Sequence, residues 1–325
     1  MRRREFLGIV SGAAAAAPLS AFAQSSGAAA RRIGILAQDL QPGLLETLRD
    51  QFHRLGYVEG RDIIIELRDA AGDNKRLPAL TEELLRLNVK VIVAVNTPAA
   101  LVAKRATSTI PVVMMRVADP EKSGLVTSLA RPGGNITGLS FMPDALGPKG
   151  VELLREVLPQ TTRMAALYQG NNRGAVVIVD EVERKGVQLG LTFARLPVED
   201  PSQYAEAFGT AARAKSQALF VMDDGAITKH RRQILDLAAK HALPVVSIYR
   251  DFAEAGGLIA YGPNLPGVYR RAADYVDKLL KGAPASSLPI EQPANFDLVI
   301  NLKAAKALGI TIPQSVLIRA NQIIE

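Results

Sequence analysis

Short apolar runs alternate with amphipathic stretches along nearly the whole chain. Ile33-Gly34-Ile35-Leu36 is the first apolar run. From Gly43 to Leu55 the apolar positions Leu44, Leu45, Leu48, Phe52 and Leu55 fall at helical spacing, and Gly56 ends the pattern. Ile63 to Leu67 is β-branched and predicts a strand; Leu77 to Leu87 predicts a helix. Val89 to Val95 is almost unbroken apolar sequence, the mark of a parallel strand covered on both faces. A helix from Pro98 to Ala106, with proline in its first turn, and a strand from Pro111 to Met115 follow.

The alternation breaks at two turn-rich stretches, Pro132-Gly133-Gly134-Asn135 and Pro143 to Pro148. It then resumes with a helix from Val151 to Leu158. Strands are predicted over Met164–Tyr168, Leu191–Leu196, Ala218–Met222 and Pro244–Ile248. Helices over about Gly174–Leu189, Gln203–Ala214 and Thr228–His241 separate them, and Pro266–Lys281 is a further helix. The last forty residues mix short strands with a helix at Leu302–Leu308. Repeated strand–helix–strand order predicts an α/β protein whose parallel sheets are covered by helices. Two such runs, split near residue 142, predict two doubly wound lobes.

Composition removes several function classes. The 325 residues are 48% hydrophobic and 22% charged, enough apolar material for two cores. Cys is absent, which excludes disulfides, thiolate metal sites, a cysteine nucleophile and a lipid-modified N-terminal cysteine. Trp is absent and aromatics are 5%, too few for a stacking platform for single-stranded nucleic acid.

The net charge of +7 includes an N-terminal segment that reads as an export signal. Arg2, Arg3 and Arg4 precede a short apolar run from Leu7 to Ala17, and Ala21-Phe22-Ala23 is a small-x-small cleavage site. Arg3 to Leu7 resembles the twin-arginine export pattern. Cleavage after Ala23 leaves 36 basic and 31 acidic residues, +5, spread along the chain rather than in a stripe, which argues against nucleic acid as a partner. The expectation is a periplasmic protein without a lipid tether. Gln24 to Ala30 is a small, polar linker.

Enzyme motifs are largely missing. The turn after the first strand, Ala37 to Gly43, lacks the glycine spacing of a dinucleotide fold, and there is no Walker loop or Gly-x-Ser-x-Gly elbow. His53, His230 and His241 sit among charges in predicted helices, without a metal-like partner at i+4. No cofactor or metal is therefore expected.

A binding protein is better supported, because ligands of open α/β sheets gather at the carboxyl ends of the strands. Gln38 and Asp39 follow the first strand, and Asn96-Thr97 follows the third, just before a helix whose N–H groups suit a carboxylate. An ordinary helix cap is the alternative for that pair. Arg116 and Asp119-Pro120 follow the fourth strand, with Asp119 alternatively capping a helix from about Glu121. The second lobe offers Gln169 to Asn172, Asp223-Asp224 and Tyr249-Arg250; a plain turn is the alternative for Asn171-Asn172. The candidate ligand set is Gln38, Asn96, Thr97, Asp119, Asn171, Asp223 and Tyr249.

Three stretches carry a family resemblance. They are Pro111 to Pro120 with Gly124 to Gly138; Ala255 to Asn264 with Tyr269 to Gly282; and Leu288-Pro-Ile-Glu-Gln-Pro with Phe296 to Pro313. Together they resemble the ABC-transporter substrate-binding protein family, in a branch commonly labelled tryptophan/tyrosine-type, over nearly all of the chain after Arg31. The resemblance implies a type I periplasmic-binding fold, with two lobes joined by a hinge and the solute between them. It implies lobe 1 over 31–142 with about 262–290 returning to it, lobe 2 over 143–261, and 291–325 packing across the lobes. It also implies a monomer that delivers a small solute to a membrane permease and its ATPase, without being an enzyme. Thr97 and Asp119 match family positions. Asn96 stands where relatives often have Gly, and Asp224 replaces the Pro that usually follows the position of Asp223. The solute is expected to be an amino acid or similar zwitterion, its carboxylate near Thr97 and its ammonium near Asp223 or Asp119. A periplasmic sensing module feeding a receptor is the alternative role.

Overall fold

The computed structural model describes residues 29–325 apart from 42, 142 and 223. The expected export signal over 1–23, the linker up to residue 28, and Asp223 lie outside the described residues.

The first sheet grows from β1 (Arg31–Ala37), α1 (Leu44–Arg54), β2 (Ile63–Asp69), α2 (Leu77–Arg86), β3 (Val91–Val95), α3 (Thr97–Ala106), β4 (Val112–Ala118) and β5 (Ile136–Phe141). Its order is β2-β1-β3-β4-β5, and every pairing is parallel. The period of two sorts the side chains. Ile33, Ile35, Val91, Val93 and Val95 join one core, while Leu36, Ile92 and Ala94 face α2 and α3 in another.

The chain then builds a second sheet. It passes through α4 (Pro143–Val157), β6 (Arg163–Gln169), α5 (Arg173–Gln188), β7 (Thr192–Val198), α6 (Tyr204–Arg213) and β8 (Ala218–Val221). Next come α7 (Gly225–Lys229), α8 (Arg231–Lys240), β9 (Val245–Ser247), α9 (Arg250–Glu254) and β10 (Ile259–Pro263). The helix α10 (Leu265–Leu280) returns to the first sheet, where Tyr269, Ala272 and Val276 complete its core. β11 (Phe296–Asn301), α11 (Leu302–Ala307), α12 (Gln314–Leu317) and β12 (Gln322–Ile324) close the chain. The second sheet runs β12-β11-β10-β9-β8-β6-β7, parallel except where β11 lies antiparallel to β10.

Three crossings link the sheets: after β5, after β10, and between Glu291 and β11. The second and third run side by side. Asn264 N donates to Asn295 O at 3.1 Å, and Asn264 Nδ2 donates to Asp297 Oδ2 at 3.0 Å. Leu139 bridges to Glu291, so the first and third crossings are also neighbours.

Several sequence expectations shift. β11 and β12 extend the second sheet instead of lying across both lobes, because buried Leu298, Val299 and Ile300 pair with β10. Pro143 opens α4 where a turn was expected, in keeping with the preference of proline for a first helical turn. The expected helix over 228–241 is two helices meeting at His230. No helix starts near Glu121; residues 120–124 form turns. Among the described residues, no helix is long and apolar enough to cross a membrane.

Candidate functional site

The carboxyl ends of β1, β3 and β4 face those of β6, β8 and β9, and the side chains there define a cleft between the lobes. Gln38 follows β1 and is fully buried; its Oε1 accepts from Asn96 Nδ2 at 3.0 Å. Asn96 makes no capping bond to α3, so its side chain is committed to Gln38 rather than to the helix start. Its backbone sits at φ 76°, ψ 159°, a region that essentially only glycine occupies without cost. Thr97 begins α3 and is buried.

Arg116 lies in β4, a strand otherwise composed of buried apolar residues. The register between β4 and β5 shifts between Met114 and Val117, and Arg116 has φ 57°. A bulge of this kind turns a side chain away from the direction that regular pleating would give it. The Arg116 guanidinium stacks over the Tyr249 ring, 4.3 Å from its centroid, and its Nε donates to the Tyr249 hydroxyl at 3.4 Å. Arg116 is 4% exposed and lies beside the Tyr269 hydroxyl, yet among the described residues Nη1 and Nη2 make no hydrogen bond of normal geometry. An always-charged fork left open in a buried wall is suited to a carboxylate, which takes two parallel N–H bonds.

The second lobe supplies a carboxylate. Asn172 caps α5, its Oδ1 accepting from Gly174 N at 3.0 Å, and its Nδ2 donates to Asp224 Oδ2 at 2.8 Å. Asp224 caps α7 through Ile227 N at 3.1 Å. Burial pushes the Asp224 carboxyl above its ordinary range, against the pull of its hydrogen bonds from Asn172 and the α7 backbone. Gln38 faces it from the first lobe.

These groups enclose a cavity of about 10 Å³, walled also by Phe141, Ile178 and Met222. That is room for about one water molecule. Larger spaces open on either side, still between the lobes. One, of about 340 Å³, is lined by Asp119, Lys122, Ser140, Phe141 and Glu181. The other, of about 280 Å³, is lined by Gln169, Asn171, Tyr204 and His230.

The structure thus gathers Asn96, Thr97 and Tyr249 around one cavity, with Gln38 bonded to Asn96 behind its wall. Asp119 stands at the flanking space, where its Oδ1 accepts from Lys122 N at 3.0 Å and caps a turn. Asn171 is exposed at the opposite flank. Asp223 lies outside the described residues. Arg116, Asn172 and Asp224 join the central cluster although they are not in the candidate set. The signal for Arg116 was a charge inside an otherwise apolar strand; for Asp224 it was the adjacent glycine, which lets the lobes meet. Among the described residues, no cluster of three His, Asp or Glu is placed to hold a metal.

Residues 37–324 match the family described as ABC transporter substrate binding protein. The chain belongs to this family. It is a substrate-binding protein rather than an enzyme, and its fold is the type I periplasmic-binding fold. A tyrosine-binding protein of Clostridioides difficile (strain R20291) is 24% identical over 267 residues, 82% of this chain and 75% of that protein. A solved ABC domain from Streptococcus pneumonia in complex with L-Trp is 27% identical, with a TM-score of 0.85 over 91% of this chain and all of that one. The ligand-free, open structure of a substrate-binding protein from Clostridium difficile aligns at 23% identity with a TM-score of 0.65, over 90% of this chain and 99% of that one.

Proposed function

We propose that this substrate-binding protein captures an L-amino acid with an aromatic side chain between its lobes and delivers it to a membrane permease. Arg116 takes the carboxylate through Nη1 and Nη2, with Thr97 beside it. Asp224, ionised on binding, takes the ammonium group. The amide pair of Gln38 and Asn96 holds the first wall, and Tyr249 covers the solute from the second lobe. An aromatic ring has space in the flanking cavity of about 340 Å³, which adjoins the central one at Phe141. We further propose that the chain is exported and does this work in the periplasm as a monomer. The relatives named for tyrosine and crystallised with L-Trp support the aromatic class.

The observation that carries the reading is the buried, open fork of Arg116. An unpaired buried charge is costly, and an anion of matching geometry offsets that cost. Two paired charges also give discrimination, because an analogue lacking either group leaves the other buried alone. A thermal-shift panel tests this. L-tryptophan or L-tyrosine should raise the melting temperature by mass action, whereas tryptamine and tyramine, which lack the carboxylate, should not. An equal shift with the amines would remove Arg116 from the account.

A further inference from the structure

Two glycines stand where the lobes touch. A Cβ added to Gly174, in the first turn of α5, would lie 2.3 Å from Thr97 Oγ1 and 3.0 Å from Thr97 Cβ. A Cβ added to Gly225, at the start of α7, would lie 2.6 Å from Asp39 Cβ and 3.1 Å from Asp39 N. Thr97 and Asp39 belong to the first lobe, Gly174 and Gly225 to the second. Rotating Thr97 moves its Oγ1 but leaves its Cβ at 3.0 Å, a contact still tighter than ordinary van der Waals packing, and no rotation moves Asp39 Cβ or N. Neither glycine has a positive φ, so the backbone at both positions suits any residue, and alanine is a better helix former than glycine. The need for glycine therefore arises from the facing lobe alone.

The two contacts are matched. Each glycine follows a capping residue, Asn172 or Asp224, and these caps are hydrogen-bonded to each other. Each receives a residue from a strand end of the first lobe. Gly174 and Thr97 also line the cavity walled by Arg116 and Asp224.

We infer that Gly174 and Gly225 are closure notches: the bare backbone at these two helix starts lets the first lobe seat on the second and seal the cleft. A methyl group at either position holds the lobes apart while each lobe keeps its own packing. The inference rests on the reading that the solute is sealed between the lobes, and it makes both positions determinants of affinity without requiring that they touch the solute.

The chain has no cysteine, so closure can be read by cross-linking. Lys122 Nζ and Glu181 Oε1 face each other across the rim at 3.3 Å. In a Lys122→Cys/Glu181→Cys background, a short bis-maleimide should link the lobes at a rate set by the closed population. Gly174→Ala and Gly225→Ala should each slow this by at least about ten-fold, with a melting temperature equal to or above that of the parent. Gly209→Ala, in α6 and facing only flexible side-chain ends, should leave the cross-linking rate unchanged while raising the melting temperature. Unaltered cross-linking in both cleft variants, or a fall in melting temperature that accompanies the loss, would overturn the inference. A thermal-shift measurement with L-tryptophan on the chain that keeps Lys122 and Glu181 separates the two readings. If the melting temperature does not rise, the aromatic amino acid is the wrong solute, while the comparison of the glycine variants still stands.

Discussion

The guanidinium of Arg116 lies over the ring of Tyr249, 4.3 Å from its centroid, although one belongs to the first lobe and the other to the second. Tyr249 in turn packs against Phe141 at the first crossing, with ring centroids 6.1 Å apart. Closure therefore brings a π-face onto a buried cation, an interaction worth about 1–2 kcal/mol when desolvated. It leaves the two terminal nitrogens of the guanidinium for something else. In the proposed function, solute capture and lobe closure converge on this one side chain.

Replacing Arg116 separates binding from stability. Arg116→Met should weaken amino-acid binding by about 2–5 kcal/mol, the usual cost of removing one partner of a buried charge pair. Arg116→Lys keeps the charge but loses the fork, and should fall between. The ligand-free melting temperature of Arg116→Met should change little, because relief from burying the guanidinium offsets the loss of its stacking on Tyr249 and of its attraction to Asp39 and Asp251. Titration calorimetry and thermal unfolding of the same samples check both halves.

Acidification should weaken binding earlier than an ordinary carboxylate would. Burial raises the Asp224 carboxyl, and the protonated form cannot pair with an ammonium group. Affinity should therefore rise with pH as Asp224 ionises, and Asp224→Asn should flatten that rise while lowering affinity throughout. The stability of the ligand-free protein carries the opposite sign. A folded-state value above the unfolded one gives a contribution present in full below the unfolded value and lost as pH rises through the folded value. A pH series of calorimetric titrations, paired with denaturant melts, shows whether the two slopes oppose each other.

Gly138 is a stability position. Its φ is +128°, and an added Cβ would lie 2.1 Å from Met114 O in the paired strand. Gly138→Ala should destabilise the protein by about 2–5 kcal/mol through backbone strain and overpacking. A melting temperature equal to wild type would show that β4 and β5 can move apart cheaply.

Asn96 should order its substitutions by backbone rather than by side chain. Asn96→Gly and Asn96→Ala both lose the bond to Gln38, but only glycine relaxes at φ 76°. Glycine should be the more stable of the two by about 1–2 kcal/mol, measured as the difference between their denaturant unfolding curves.

Much of the architecture is legible in the residues. The unbroken apolar run of β3 and the helical spacing of α1 and α10 record burial directly. β5 is harder: Ile136 to Phe141 is interrupted by Gly138 and follows Pro132-Gly133-Gly134, so the run carries no clear strand pattern. The predicted helix from Val151 covers only the second half of α4; its first half is obscured by Pro143 and Pro148. Strand-end reasoning found Gln38, Asn96, Thr97 and Tyr249, because the carboxyl ends of parallel strands fix where polar residues converge. It did not select Arg116, whose direction depends on a bulge that no local pattern signals. Nor could it separate Asp119, turned to the rim, from Asp224, whose capping bond places it on the cavity wall.

The most direct test is a crystal structure of the mature chain with whichever of L-tryptophan and L-tyrosine raises its melting temperature. The account predicts the amino acid between the lobes, its carboxylate oxygens at about 2.7–2.9 Å from Nη1 and Nη2 of Arg116. A bound amino acid whose carboxylate points elsewhere, with the Arg116 fork still open, would contradict it.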